Sequence, residues 1–272
     1  MSQHGKAKRR FGQHFLEAAW VDKLIRVIDP KPDQHFWEIG PGRGALTRPL
    51  AARAASVTGF EIDRDLAADL RADPPPRFTL VEGDFLDVTP DLVRSGLGAG
   101  DSARVVGNLP YNVASPILFK LAGLYRAGMP IADATVMLQR EVADRLVAEP
   151  GSKEYGVLSI LIQHDARAER ILNLPPGAFR PAPKVHSAVV RLVFHPPAPA
   201  VVSQSTFVAL TQAIFTRRRK TLTNALLAFE PSARLPPIDA LRNAGIDGTR
   251  RPETLSVGEL ARLSDVFARA VL

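Results

Sequence analysis

The stretch His35–Thr47, HFWEIGPGRGALT, decides how the rest of the chain reads. Its first half is an apolar run ending in glycine, which predicts a strand buried on both faces. Glycines follow at 40, 42 and 44, and then "ALTRPLAARA" (Ala45–Ala54) has the spacing of a helix. A strand that passes through a glycine-rich loop into a helix exposes bare backbone that a ligand can approach closely. The spacing is G-x-G-x-G rather than the G-x-G-x-x-G of dinucleotide sites, and Pro41 stiffens the turn. Both features argue against a pyrophosphate-containing ligand.

The same alternation continues downstream. "SVTGFEI" (Ser56–Ile62), "RFTLVEGD" (Arg77–Asp84), "ARVVGNLP" (Ala103–Pro110) and "DATVMLQ" (Asp133–Gln139) read as strands. "DRDLAADLRA" (Asp63–Ala72), "ASPILFKLAGLYRAG" (Ala114–Gly128) and "REVADRLVAE" (Arg140–Glu149) read as helices. Strands alternating with helices predict an α/β fold with a doubly wound parallel sheet. "AERILNL" (Ala168–Leu174) and "SAVVRLVF" (Ser187–Phe194) are expected as the closing strands. "HPPAPAVVSQS" (His195–Ser205) is a proline-rich break of the kind that links domains. Beyond it, "STFVALTQAIFTRRRKTLTNALLAF", "PIDALRNAGI" and "SVGELARLSDVFARAV" all carry helical periodicity. The expected division is an α/β domain over 1–199 and a small all-helical domain over 200–272.

Composition narrows the function. The 272 residues contain no cysteine, which removes disulfides, thiolate metal sites and thiol nucleophiles together. A net charge of +7 points to a polyanionic partner, because lysine and arginine release counterions from phosphates. No window approaches a membrane span. The opening "MSQHGKAKRRFGQHF" is basic without an apolar run behind it, so it reads as a basic arm rather than a signal peptide. The expectation is a cytoplasmic protein.

The candidate site lies at the strand ends. Glu61 closes the second strand about 20 residues past Gly40, where a carboxylate can accept both hydroxyls of a ribose. Asp84 closes the third strand, where it or its neighbouring backbone can read an adenine amino group. Asn108 closes the fourth. Taken singly, each of these residues fits a solvated turn. Four at the carboxyl edge of one sheet form a set that S-adenosylmethionine would require.

Seven motifs then occur in order: "FGQHFL", "EIGPGRGALT", "FEID", "GDFLDV", "GNLPYN", "FRPAPKVHSAVVRL" and "FTRRRKTLTNAL". Together they resemble the ribosomal RNA adenine dimethyltransferase family, most closely its bacterial small-subunit (KsgA-type) branch, from about Arg10 to Leu260. The resemblance implies a Rossmann-like class I S-adenosylmethionine-dependent methyltransferase domain with a small all-helical C-terminal domain. It implies dimethylation at N6 of two adjacent adenosines, in a hairpin loop near the 3′ end of 16S rRNA within the immature 30S subunit. A monomer is expected, and no metal. The implied cofactor contacts are His14, Leu16, Gly40, Glu61, Asp84 and Asn108, with Gly42, Ile62 and Phe85 beside them. Position 14 is commonly Asn in the family, so a backbone contact is expected there. Asn108, Leu109, Pro110 and Tyr111 form the implied target-base motif.

The chemistry of "NLPY" supports that assignment. The N6 lone pair of adenine is delocalised into the ring, and two acceptors aimed at its hydrogens draw it out. The Asn108 side-chain oxygen and the Leu109 carbonyl are those acceptors, Pro110 fixes the backbone, and Tyr111 offers a stacking face. Phe179 is expected to line the target pocket opposite Tyr111. Arg180, Lys184 and the run Arg217, Arg218, Arg219 and Lys220, set within about one helix turn, are expected to contact phosphate. Three other readings remain open: an Erm-type enzyme acting on large-subunit rRNA, a non-catalytic checkpoint in ribosome assembly, and a DNA N6-adenine methyltransferase.

Overall fold

A computed structural model describes residues 14–94 and 97–271. The basic arm Lys6–Arg10 lies outside the described residues. The chain divides into two compact units, Met1–Ala143 with Ala168–Phe194, and Asp144–Arg167 with His195–Leu272.

The first unit carries the sheet. In chain order it contains β1 (Phe15–Leu16), α1 (Ala18–Ile28), β2 (His35–Ile39), α2 (Thr47–Ala51), β3 (Ser56–Glu61) and α3 (Arg64–Ala72). Then come β4 (Phe78–Glu82), α4 (Pro90–Arg94), β5 (Ala103–Asn108), α5 (Ala114–Arg126) and β6 (Ile131–Gln139). After α6 (Arg140–Leu146) and α7 (Val157–Gln163), the chain returns through β7 (Ala166–Leu174), β8 (Phe179–Arg180) and β9 (Ser187–Phe194). Seven strands form one sheet in the order β4-β3-β2-β5-β6-β9-β7. Strands β4 through β6 pair in parallel, and β9 is antiparallel to β6. The chain moves outward from β2 to β4 and then recrosses to β5, so the order reverses beside β2. In such sheets the crevice at that reversal binds ligands.

The expected strands and the doubly wound sheet are therefore present. The short elements β1, α4 and β8 escaped the sequence reading, and so did two longer helices. Helix α1 buries Val21, Leu24, Ile25 and Ile28, an ordinary i, i+3, i+4, i+7 stripe. In α7, Leu158 through Ile162 are buried without a break, so no polar face remains to reveal a helix.

The second unit holds α7, α8 (Gln204–Phe215), α9 (Leu222–Leu226), α10 (Pro237–Ala244) and α11 (Val257–Val271). Its core includes Phe207, Leu210, Ile214, Leu226, Leu263 and Phe267, with Phe229 edge-on to Phe267 at 5.1 Å between ring centroids. The expected boundary at 199/200 is not where the chain divides. Residues 144–167 join the C-terminal helices because α7 packs on α8. The proline-rich segment is also tied down: the Ala198 amide donates to the His164 carbonyl at 2.9 Å, and the His164 ring meets the Pro199 carbonyl at 2.8 Å. No helix among the described residues is long and apolar enough to cross a membrane.

One polar knot holds the amino ends of the central strands. Arg104 on β5 grips Asp133 on β6 through Nε at 3.0 Å and Nη2 at 2.9 Å. Its Nη1 reaches the Ile28 carbonyl at 2.9 Å and Gln34 Oε1 at 3.0 Å. Removing one partner of a largely buried pair strands the other charge. Asp133→Ala is therefore expected to destabilise the protein by about 3 kcal/mol, read as a lowered urea midpoint.

Candidate active site

Strand register assembles the site. Ile39 of β2 lies opposite Phe60 of β3 and Gly107 of β5, so Gly40, Glu61 and Asn108 follow at one level of the sheet. They open on a cleft of about 300 Å³ within the first unit. His14, Leu16, Gly40, Gly42, Glu61, Ile62, Asp84 and Phe85 all line it, as do Asn108, Leu109, Pro110 and Tyr111. The expected cofactor residues and the Asn108–Tyr111 motif thus share one cavity.

Glu61 is 4% exposed and is held by backbone. Its Oε2 accepts the Gly42 amide at 2.9 Å, and its Oε1 accepts the Asp63 amide at 2.9 Å. Burial pushes its carboxyl up, and those two amides offset part of the rise. Each oxygen keeps lone-pair capacity, so the group can still accept a diol. Gly40 has φ +69°, and a Cβ there would meet nothing within 4 Å: it would project into open space. Asp84 spends Oδ1 on the Leu86 amide at 2.9 Å, capping the turn that carries Phe85. Ile62 is 46% exposed, a flat apolar surface suited to a purine face.

Asn108 has its amide oriented by the chain. Nδ2 donates to the His14 carbonyl at 2.6 Å. A carbonyl can only accept, so the nitrogen must face it and Oδ1 must face away. The His14 carbonyl thus sets the orientation of this amide, and His14 also lines the cleft. The His14 ring stacks on Tyr111 at 5.6 Å between centroids, and its Nδ1 meets the Pro181 carbonyl at 2.7 Å. The Tyr111 hydroxyl is paired with Ser187 Oγ on β9 at 2.7 Å, and burial pushes its pKa up.

The outlying candidates fare differently. Phe179 does not line the cleft. It is fully buried in the core with Val21, Leu24 and Ile25. Strand β8 pairs antiparallel with β1, Phe179 opposite Leu16, so Phe179 turns inward while Arg180 turns out. Arg180 bonds Glu17 at 3.1 Å, and Lys184 is exposed. The cationic run is not a helix turn, because α8 ends at Phe215 and residues 216–219 form turns. Arg218 is committed to Glu253 at 2.8 Å and to the Lys153 carbonyl at 3.1 Å, and Arg217 reaches the Asn224 carbonyl at 3.3 Å. Arg219 and Lys220 are exposed.

The sequence reading missed Glu38, Arg43, Phe60 and Met137 on the cleft wall. Glu38 carried a signal, an acid inside an otherwise apolar strand. Arg43 lies 4.3 Å over the Phe15 ring, a contact no local pattern announces.

The family described as "Ribosomal RNA adenine dimethylase" matches residues 4–269. "Ribosomal RNA small subunit methyltransferase A" of Bordetella avium is 45% identical, covering 99% of this chain and 98% of that protein. The protein of the same name from Pseudomonas fluorescens is 42% identical over 98% of this chain and 95% of its own. Among solved structures, a dimethyladenosine transferase from Plasmodium falciparum superposes with TM-score 0.77 at 22% identity, covering 95% of this chain and 99% of that one. The 23S rRNA methyltransferase ErmE does so with TM-score 0.67 at 26% identity, covering 93% and 99%.

Glu61→Gln tests the cofactor wall. An amide nitrogen would face the Gly42 or the Asp63 amide, donor against donor. S-adenosylmethionine affinity is expected to fall roughly ten- to a hundredfold, measured by calorimetry.

Proposed function

The chain belongs to the ribosomal RNA adenine dimethylase family, and from that membership we infer that it transfers methyl groups from S-adenosylmethionine to N6 of adenosines in 16S rRNA, two to each base. The targets are two adjacent adenosines in a hairpin loop near the 3′ end, met in the immature 30S subunit by a monomer acting in the cytoplasm. Unpaired loop bases can be splayed out and read, as a buried catalytic edge demands.

The cleft suits the cofactor. Glu61 would take the ribose hydroxyls, Ile62 and Phe85 the purine, and Asp84 the adenine amino group. The open backbone at Gly40 would admit the amino-acid end. When bound, S-adenosylmethionine supplies an electrophilic methyl group on a sulfonium.

The orientation of Asn108 carries the mechanism. With Nδ2 held by His14, Oδ1 accepts one N6 hydrogen and the Leu109 carbonyl accepts the other. The lone pair leaves conjugation as N6 becomes tetrahedral, so the two acceptors bind the transition state better than the planar ground state. The buried Leu109 side chain and Pro110 hold that carbonyl in place. His14 covers one face of Tyr111, and the base stacks on the other. No strong base is needed, because the proton leaves after transfer. A monomethylated base has one N6 hydrogen fewer to offer, so the second transfer is the slower. Lys184, Arg219 and Lys220 are exposed cations suited to phosphate contact.

The first experiment is nucleoside mass spectrometry on small and large subunits lacking the modification, each incubated with protein and S-adenosylmethionine. Dimethyladenosine at two adjacent 3′-end positions of the small subunit is expected, preceded by monomethyladenosine in single turnover. Label confined to the large subunit would instead favour the Erm-type reading. Asn108→Ala is expected to lower kcat by about 10²- to 10³-fold, the scale for losing one preorganised transition-state partner. Replacing Arg219 and Lys220 together is expected to leave kcat intact and flatten the salt dependence of subunit binding by about two units of slope.

A further inference from the structure

Ser187 has no part in the proposed mechanism and is not on the cleft wall, yet it touches a residue that is. It is the first residue of β9, is 1% exposed, and lies opposite Gln139 at the end of β6. Its Oγ meets the Tyr111 hydroxyl at 2.7 Å, across 76 positions of chain. Tyr111 itself sits in the turn between β5 and α5, and a turn alone leaves a ring free to swing. Ser187 is set firmly in the sheet, because the neighbouring His186 carbonyl accepts the Arg140 amide at 2.9 Å. The geometry of the tether matters. A tyrosine hydroxyl lies on the axis about which the ring spins. Holding that oxygen fixes where the ring points and leaves its spin free; a neighbour against the ring face fixes the spin. Tyr111 has both restraints: Ser187 at its tip, and the His14 ring stacked at 5.6 Å with 25° between the planes. His14 is held in turn, since its Nδ1 meets the Pro181 carbonyl at 2.7 Å and a carbonyl can only accept. The short segment 181–187 thus supplies the anchor for each restraint.

We propose that Ser187 is a positioning residue for methyl transfer: it tethers the ring on which the target adenine stacks, and the second transfer to each base depends on that tether more than the first. This rests on the reading of Tyr111 as the stacking face for an adenosine. In the first transfer N6 offers a hydrogen to each of two acceptors, Asn108 Oδ1 and the Leu109 carbonyl, and the stack is a third restraint. In the second transfer a methyl group has replaced one hydrogen, so one acceptor contact is gone. The stack then carries a larger share of the alignment. Rate falls steeply when reacting groups are held out of line, so slack in the ring costs the second step more. A hydroxyl pair that only satisfied two buried groups would behave differently. Removing both hydroxyls together would then be nearly neutral, because neither is left without a partner. For a tether, removing either hydroxyl or both has the same effect, since each change frees the ring.

Single-turnover methylation of small subunits lacking the modification, followed by nucleoside mass spectrometry, reads the two transfers separately. Ser187→Ala in the full chain is expected to slow the first transfer about threefold and the second about tenfold, so that monomethyladenosine accumulates. Subunit affinity, which phosphate contacts dominate, is expected to stay within about twofold. Tyr111→Phe keeps the stacking ring and removes the tether, so it should give the same split. The double variant should be no worse than either single one, the mark of two residues acting as a unit. A wild-type product ratio in Ser187→Ala overturns the proposal. Equal slowing of both transfers overturns it as well, and so does a double variant that regains wild-type rates or loses the sum of the single effects. Failure of the wild type to methylate any adenosine would instead remove the reading beneath the proposal, and the proposal with it. Should Ser187→Ala not fold, Tyr111→Phe decides alone: accumulation of monomethyladenosine supports the tether, and a wild-type product ratio overturns it.

Discussion

Strand β2 is hydrogen-bonded on both edges and covered on both faces, and its register with β3 and β5 governs the catalytic edge. A slip of one residue would exchange the faces of Phe36, Trp37 and Ile39 and bring Glu61 and Asn108 to different levels. The close approach that prevents this is visible at Gly107. A Cβ there would lie 2.7 Å from the Ile39 carbonyl oxygen, so only glycine lets β5 lie flat against β2. Asn108, the next residue, then arrives level with Gly40.

The cleft is rich in acceptors. Glu38, Glu61 and Asp84 line it, and the backbone amides nearest Glu61 are already spent on that carboxylate. Such a wall favours cations and hydroxyl or amino donors, which are the polar features of S-adenosylmethionine and of the adenine amino group. The same preference explains how the enzyme manages without a nucleophile. On the proposed mechanism its oxygens receive hydrogens and positive charge as they develop, and the catalytic work is electrostatic orientation. The carbonyl of His14, 94 residues away in the chain, decides which end of the Asn108 amide is left for the cleft.

The aromatic and basic candidates show how tertiary demands redirect residues. Phe179 has the size and setting of a stacking residue, yet the two-residue pairing of β8 with β1 turns it into the core. Arg218 has the look of a phosphate contact, yet its charge closes an ion pair with Glu253. Neighbouring Arg219 and Lys220 stay exposed, so a run that is uniform in sequence divides into structural and solvent-facing members.

Much of this was legible beforehand because it depends on local periodicity. Apolar runs with glycine at their ends announced β2, β3 and β5, and those ends carried Gly40, Glu61 and Asn108. The motif order of "EIGPGRGALT" and "GNLPYN" pointed to the family and its chemistry. What remained hidden depended on partners distant in sequence. The inward turn of Phe179 comes from β1, the pairing of Arg218 from a residue 35 positions on, and the membership of residues 144–167 in the second unit from α7 packing on α8. Burial of Glu38 at the cleft wall is of the same kind. A sequence states which groups a strand carries, and only the packed fold decides which of them are left without water.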